Sequence, residues 1–142
     1  MRKLPLIVIA ALLMIPILAG QQPKPRRASA ATLARGKYLV EGIGMCADCH
    51  TPGDVRGQSP KERWLTGATL GFKPIVPMPV WADTAPNIAG LPGWDKDVAI
   101  RFLMTGIARN GLPLRPPMPQ FRFNEQDAVA IVAYLQSLAA AK

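Results

Sequence analysis

The only two cysteines and the only histidine of the 142-residue chain occur together, as Cys46-Ala47-Asp48-Cys49-His50. The spacing is C-x-x-C-H, through which a porphyrin is attached covalently to a polypeptide. Two thiols this close together can reach the two vinyl groups on one edge of the ring. The adjacent imidazole then lies where it can ligate the iron. The motif predicts one covalent c-type haem held by Cys46 and Cys49, with His50 as an iron ligand.

Three other interpretations of these residues are weaker. A structural disulfide is the ordinary role of two cysteines in an exported protein, but it does not explain the adjacent histidine. A thioredoxin-like redox pair would need a βαβ context, which the neighbouring sequence does not offer. A structural zinc site needs four protein ligands, and the motif supplies three.

Composition favours one small, loop-rich domain. The chain has 12 glycines and 15 prolines, enough to predict long irregular loops. Its net charge of +8 would suit a nucleic-acid-binding protein, but five basic residues crowd together between Lys24 and Lys37. From Leu33 onward, twelve basic and nine acidic residues leave +3, and no basic stripe alternates with aromatic residues. We therefore expect no nucleic-acid partner.

The N-terminus has the layout of an export signal. Residues 1–20 combine a basic start, an apolar run from Leu4 to Ala19 and small residues at the end. The alternative is an uncleaved membrane anchor, which would bring the domain into contact with the membrane. Sixteen apolar residues in a helix span roughly 24 Å, less than a hydrocarbon core of ~30 Å, so a cleaved signal is favoured. Residues 21–31 are basic and proline-containing and predict a flexible linker, and residues 32–142 form the predicted domain.

Three helices are predicted in this domain, and no strands. The first has Thr32 as its N-cap and Gly42 at its C-terminal end. The second begins after Asp95 and ends at Gly106, and the third begins after Asn124. Residues 51–93 carry many prolines and no sustained periodicity, which predicts a long loop around the haem. Its expected packing residues are Trp64, Phe72 and Trp81.

The chain resembles the class I cytochromes c. The likeness rests on the C-A-D-C-H motif, on Gly36-Lys37-Tyr38-Leu39, on Pro117-Met118-Pro119 and on Ala133-Tyr134-Leu135. Two further segments, Ala85-Pro86-Asn87-Ile88 and Gly93-Trp94, are similar to those of bacterial monohaem cytochromes that accept electrons from periplasmic dehydrogenases.

This resemblance implies an all-α class I fold with long loops around one covalent haem. It also implies that the first and last helices cross near Gly36 and Tyr134. A methionine opposite His50 would be the second axial ligand, and a backbone carbonyl would orient the imidazole. Asn87, Trp94, Arg101 and Arg109 are candidates for contacts with the haem or its propionates, although each also has an ordinary structural interpretation.

Two of the six methionines are credible iron ligands. Met1 and Met14 belong to the leader, Met45 adjoins the motif on the histidine side, and Met104 lies in a predicted helix. Met78 and Met118 both stand between two prolines, so the local sequence does not distinguish them. Position along the chain, compared with the class I pattern, favours Met118, which precedes the terminal helix.

The sequence thus predicts a periplasmic one-electron carrier that is not itself an enzyme. Its haem iron, held by His50 and Met118, would receive electrons from a dehydrogenase and pass them to an oxidase or another acceptor. A haem-bearing subunit of a dehydrogenase or oxidase complex is the principal alternative. A small haem peroxidase or ligand sensor would need an open iron coordination position.

Overall fold

A computed structural model describes residues 27–53 and 61–141. The predicted signal and most of the predicted linker lie outside these residues. Helices make up nearly all of the regular secondary structure of the described part, and its core includes residues of the first and last helices and of the chain between them. None of the described helices has both the length and the apolar character needed to span a membrane.

The first helix, α1, runs over Ala30–Tyr38 and continues as a π-helical turn over Leu39–Ile43. The predicted cap was wrong: the side chain of Ser29 accepts a hydrogen bond from the Thr32 backbone N–H, so the helix begins earlier. Gly42 was also wrongly predicted as the end. The wider π turn carries the chain through it, and the N–H of Gly44 bonds to the Leu39 carbonyl.

The second helix, α2, is Cys46–His50, so the haem motif is itself helical. It is followed by a short 3-10 turn at Lys61–Arg63. Two-residue strands, β1 at Ala68–Thr69 and β2 at Thr84–Ala85, then pair antiparallel. This pairing corrects the prediction of no strands. Alternation of apolar and polar residues gives no signal over two positions, so short strands of this kind escape sequence patterns.

The next helix, α3, covers Lys96–Thr105, and the last long helix, α4, covers Glu125–Ser137 before a 3-10 turn at Leu138–Ala141. Their predicted caps are confirmed. The side chains of Asp95 and Asn124 accept hydrogen bonds from backbone N–H groups of the first turns. Gly106 ends α3 in the left-handed conformation, which glycine adopts without steric cost.

The crossing of α1 and α4 is confirmed at Gly36 and Tyr134. A Cβ added to Gly36 would lie 2.0 Å from the carbonyl oxygen of Ala130 and 2.7 Å from the Tyr134 Cβ. Only glycine permits so close an approach. Beside the crossing, the Tyr134 hydroxyl donates to Glu41. The buried core on this side consists of residues from several elements: Leu39, Val40, Leu65, Leu91, Ala99, Ile131, Val132 and Leu135.

Candidate haem site

Helix α2 places both cysteines and the histidine on one face. Residues three and four positions apart share a helix face, so Cys46, Cys49 and His50 project together. Met45 precedes the helix with a left-handed backbone (φ 44°), a conformation uncommon for a residue with a side chain. All three motif side chains line one cavity, and both cysteines are free thiols.

The imidazole of His50 is held by the loop that contains Pro86, which lines the same cavity. Its Nδ1 lies 2.7 Å from the carbonyl oxygen of Pro86, and only 6% of the residue is exposed. A carbonyl can only accept, so Nδ1 carries the proton. Burial lowers the pKa of His50, while the bond to Pro86 acts in the opposite direction. The ring is therefore neutral at pH 7, and Nε2 is left with a free lone pair, as metal ligation requires.

Backbone hydrogen bonds fix the loop that supplies this carbonyl. The N–H of Gly67 donates to the His50 carbonyl at 2.7 Å, and the Leu65 carbonyl accepts from the N–H groups of Ile88 and Ala89. Gly67 has φ 93°, and a Cβ there would lie 2.7 Å from the Asn87 nitrogen. The 65–67 segment thus ties the end of α2 to the Pro86 segment.

Thr51 adds one more connection. It is buried directly after the motif, and its hydroxyl oxygen accepts a hydrogen bond from the Leu65 N–H at 3.0 Å. Leu65 itself is fully buried with a left-handed backbone (φ 57°). Such a conformation persists only where the surroundings fix it.

The site cavity has an outer part and an inner part. Leu70, Ala82, Thr84 and Arg115 line the outer part. Trp94, Phe102 and residues of α4 line the inner part, which has no charged side chain. Five residues line both parts and mark where they meet: Cys46, His50, Pro86, Met118 and Phe121.

The two candidate methionines differ in position. Met118 lines both parts of the cavity together with His50. Met78 lines neither part and is 38% exposed.

The donor set and walls of this cavity fit a covalent haem. Its lining residues supply two thiols for thioether bonds, an imidazole with a free Nε2 and a thioether sulfur, and most of the other lining residues are apolar. Burial raises the pKa of the Cys46 thiol to about 11, so this thiol is protonated at neutral pH.

The remaining candidates for contacts with the haem or its propionates have different surroundings in the structure. Asn87 is a turn residue, because its side-chain oxygen accepts from the Ala89 N–H. Arg109 donates to the Gly93 carbonyl, and its guanidinium lies 5.7 Å from the centroid of the Trp94 ring. Trp94 packs against Phe102 and lines the inner cavity. Arg101 lines a separate surface pocket with Arg109.

The supporting residues Thr51, Leu65, Gly67 and Pro86 were not singled out by sequence reasoning as contacts of the motif. Pro86 lies in a segment that carried the family resemblance, but the group it supplies is a backbone carbonyl, which every residue has. Gly67 offered the one local signal, since a glycine in an irregular stretch indicates a special backbone conformation.

The fold and the site define a c-type cytochrome domain of class I. Residues 31–135 match the model of the family described as "Cytochrome C oxidase, cbb3-type, subunit III", and the chain belongs to this family.

Several curated proteins are similar to this chain over about three quarters of its length. A "Diheme cytochrome c-type" protein of Cereibacter sphaeroides is 33% identical over 75% of the chain and 35% of its own length. The "Gluconate 2-dehydrogenase cytochrome c subunit" of Pantoea cypripedii is 32% identical over 76% of the chain and 26% of its own length. The "Fructose dehydrogenase cytochrome subunit" of Gluconobacter japonicus is 29% identical over 75% and 22%, respectively. The chain therefore spans only about a third or less of these relatives.

Proposed function

We propose that this cytochrome c domain carries single electrons on one haem, bound through Cys46 and Cys49 and ligated by His50 and Met118. The observation that carries the proposal is the convergence of these four side chains on one cavity. When bound, the haem supplies the redox chemistry, with its iron alternating between ferric and ferrous.

The residues around the cavity have different roles in this function. Pro86 holds the His50 ring in a fixed orientation and tautomer. Together with His50, Met118 would hold the iron through its sulfur, which would raise the reduction potential and leave no open site for oxygen or peroxide. The apolar inner wall would exclude water from the haem. Fewer water molecules would then have to reorient when the charge of the iron changes. These features support a carrier over a peroxidase or a ligand sensor.

Covalent attachment is tested directly on the polypeptide. After denaturing gel electrophoresis, haem staining should remain on the wild-type band, with one haem per chain by pyridine haemochrome assay. Cys46→Ala and Cys49→Ala should each weaken or abolish this staining. A wild-type band without colour would contradict the proposal.

The electron donor is proposed to be a dehydrogenase. Relatives named as cytochrome subunits of gluconate and fructose dehydrogenases support this assignment. They also favour a second candidate function, in which this chain is a fixed haem subunit of such a complex. Affinity purification of the chain at high salt distinguishes the two, because a fixed subunit would carry stoichiometric catalytic subunits with it.

We further propose a periplasmic location, reached by cleavage of the leader near Ala19 or Gly20. The basic, short apolar N-terminus supports this. An intact-mass measurement on the exported protein should show the loss of about twenty residues. A full-length chain retained in membranes through high-salt washing would instead support an uncleaved anchor.

A further inference from the structure

A long hairpin loop follows Leu70, a residue that lines the outer part of the haem cavity. The β1–β2 pair closes it, and the N–H of Leu70 donates to the Asp83 carbonyl one step further. Phe72 and Trp81 pack edge to face across the loop, with ring centroids 5.8 Å apart. We name residues 71–82 the apolar loop.

The apolar loop carries several large hydrophobic side chains that are largely exposed. Ile75 is as exposed as in an open peptide, at 101%. Val76 and Val80 are each more than half exposed, and Phe72 and Met78 are also exposed. Single exposed hydrophobic residues are normal, but a contiguous group indicates an interaction surface.

The base of the apolar loop is part of the haem site. Ala82 and the preceding neighbour of the loop, Leu70, line the outer part of the cavity. The N–H of Ala82 donates to the carbonyl of Pro116 at 2.8 Å, two residues before Met118. A protein seated on this loop would therefore lie beside the cavity, where electrons must enter or leave.

The chemistry of the loop favours a protein groove over a lipid surface. Lys73 is its only charged residue, whereas segments that bind anionic membranes carry several lysines or arginines. Its tryptophan, Trp81, pairs with Phe72 at the base and does not lie at the tip. Pro74, Pro77 and Pro79 restrict the backbone, so less conformational entropy is lost when the tip is held in a groove.

We propose that the apolar loop docks into an uncharged, apolar groove on the electron donor, which the relatives named as dehydrogenase cytochrome subunits favour over an acceptor as the partner. The inference rests on the proposed carrier function and adds to it the surface and the chemistry of the partner. Because the loop carries one charge, docking through it should depend only weakly on salt.

The test is a kinetic titration of the ferric protein. Wild-type cytochrome is added to fractions of the source cells that contain dehydrogenase and its substrate, and the rate of haem reduction is followed. The loop variant combines Ile75→Ser and Val76→Ser. The control variant combines Ile107→Ser and Leu112→Ser, which are also exposed apolar residues but line neither part of the haem cavity.

We expect the loop variant to need roughly tenfold or more protein for half-maximal rate, since two apolar contacts are lost. Its maximal rate, visible spectrum and reduction by ascorbate should match wild type, and the control variant should match wild type throughout. For the wild-type protein, raising the salt concentration should change the concentration at half-maximal rate. This change should be smaller than the change that the two loop substitutions cause.

If the loop variant reaches its half-maximal rate at the same concentration as wild type, the docking inference is overturned and the carrier function stays intact. Failure of every fraction to reduce wild-type protein, while ascorbate reduces it, would overturn the carrier function and the inference with it. Loop-dependent binding to phosphatidylglycerol vesicles, or a loop-dependent dimer in sedimentation, would assign the surface to a membrane or to a second copy instead.

Discussion

The Nδ1 of His50 donates its proton to the carbonyl oxygen of Pro86 across 2.7 Å, and this bond joins two segments 36 residues apart. This hydrogen bond fixes the ring in the tautomer with the proton on Nδ1, whether or not Nε2 ligates a metal. Since the ring is buried, its Nδ1 proton should exchange slowly with solvent. The chain has one histidine, so a 15N-histidine-labelled ferrous protein gives an unambiguous signal in heavy water. Loss of that signal on mixing, or a proton found on Nε2, would contradict the assignment.

Met118→Ala should remove the weak sulfur-to-iron charge-transfer band of the ferric protein. It should also lower the reduction potential and allow cyanide or carbon monoxide to bind, because the sixth iron position becomes open. Met78→Ala is the matched control, since Met78 has the same proline neighbours but lines neither part of the cavity. It should leave all three properties near wild type. The opposite pattern would transfer the ligand role to Met78.

Gly36→Ala should lower the free energy of unfolding by about 3 kcal/mol or more, at the upper end of overpacking effects. The added methyl group would meet the Ala130 carbonyl oxygen at 2.0 Å, so α1 and α4 must separate. Gly42→Ala is the control, because the nearest atoms belong to the Tyr38 ring at 3.6 Å. Chemical denaturation should show its stability unchanged or raised by up to about 1 kcal/mol. Equal losses in both variants would argue against a tight crossing.

The Arg35–Asp127 pair should make stability depend on pH in the acid range. Arg35 donates two hydrogen bonds to the Asp127 carboxylate, at 2.8 and 3.0 Å, and these lower the pKa of Asp127. A group with a lowered folded-state pKa stabilises the fold above its unfolded pKa, near 4, and loses this effect as pH falls through the folded value. Asp127→Asn should therefore lower stability at pH 7 and flatten its decline below about pH 4.

The control for this pH dependence is Lys37→Gln. Lys37 lies 3.9 Å from Glu41 in an exposed pair, which contributes little. Melting curves of Lys37→Gln should keep the wild-type pH profile. An Asp127→Asn variant with an unchanged acid decline would show that other carboxylates control it.

Arg109 should raise the reduction potential through its position over Trp94. Its guanidinium lies 5.7 Å from the centroid of this ring, which lines the inner cavity. A nearby positive charge disfavours the more positive ferric state, so Arg109→Gln should lower the potential measured by redox titration. Arg109→Lys keeps the charge and should restore most of the difference. A potential that is equally low in both variants would point to loss of the hydrogen bond to Gly93 instead of loss of charge.

The sequence by itself determined the features that depend on neighbours a few residues apart. The haem motif is one such feature, because Cys46, Cys49 and His50 must reach one edge of one ring. The caps at Asp95 and Asn124 are others, since a cap bonds within its own first turn. The start of α1 was predicted three residues late. Ser29 and Thr32 are both residue types that cap helices well, and residue type alone does not distinguish them.

Only the tertiary structure decided which groups complete the site. The partner of His50 is a backbone carbonyl, a group common to all residues, so Pro86 carries no signal of this role in its side chain. Met118 lines the cavity and Met78 does not, although both stand between two prolines. The difference depends on how the β1–β2 hairpin loop, which contains Met78, packs on the rest of the domain. The exposure of Ile75 has the same origin, because the sequence predicted only a long loop here and the packing of the described residues leaves this side chain uncovered.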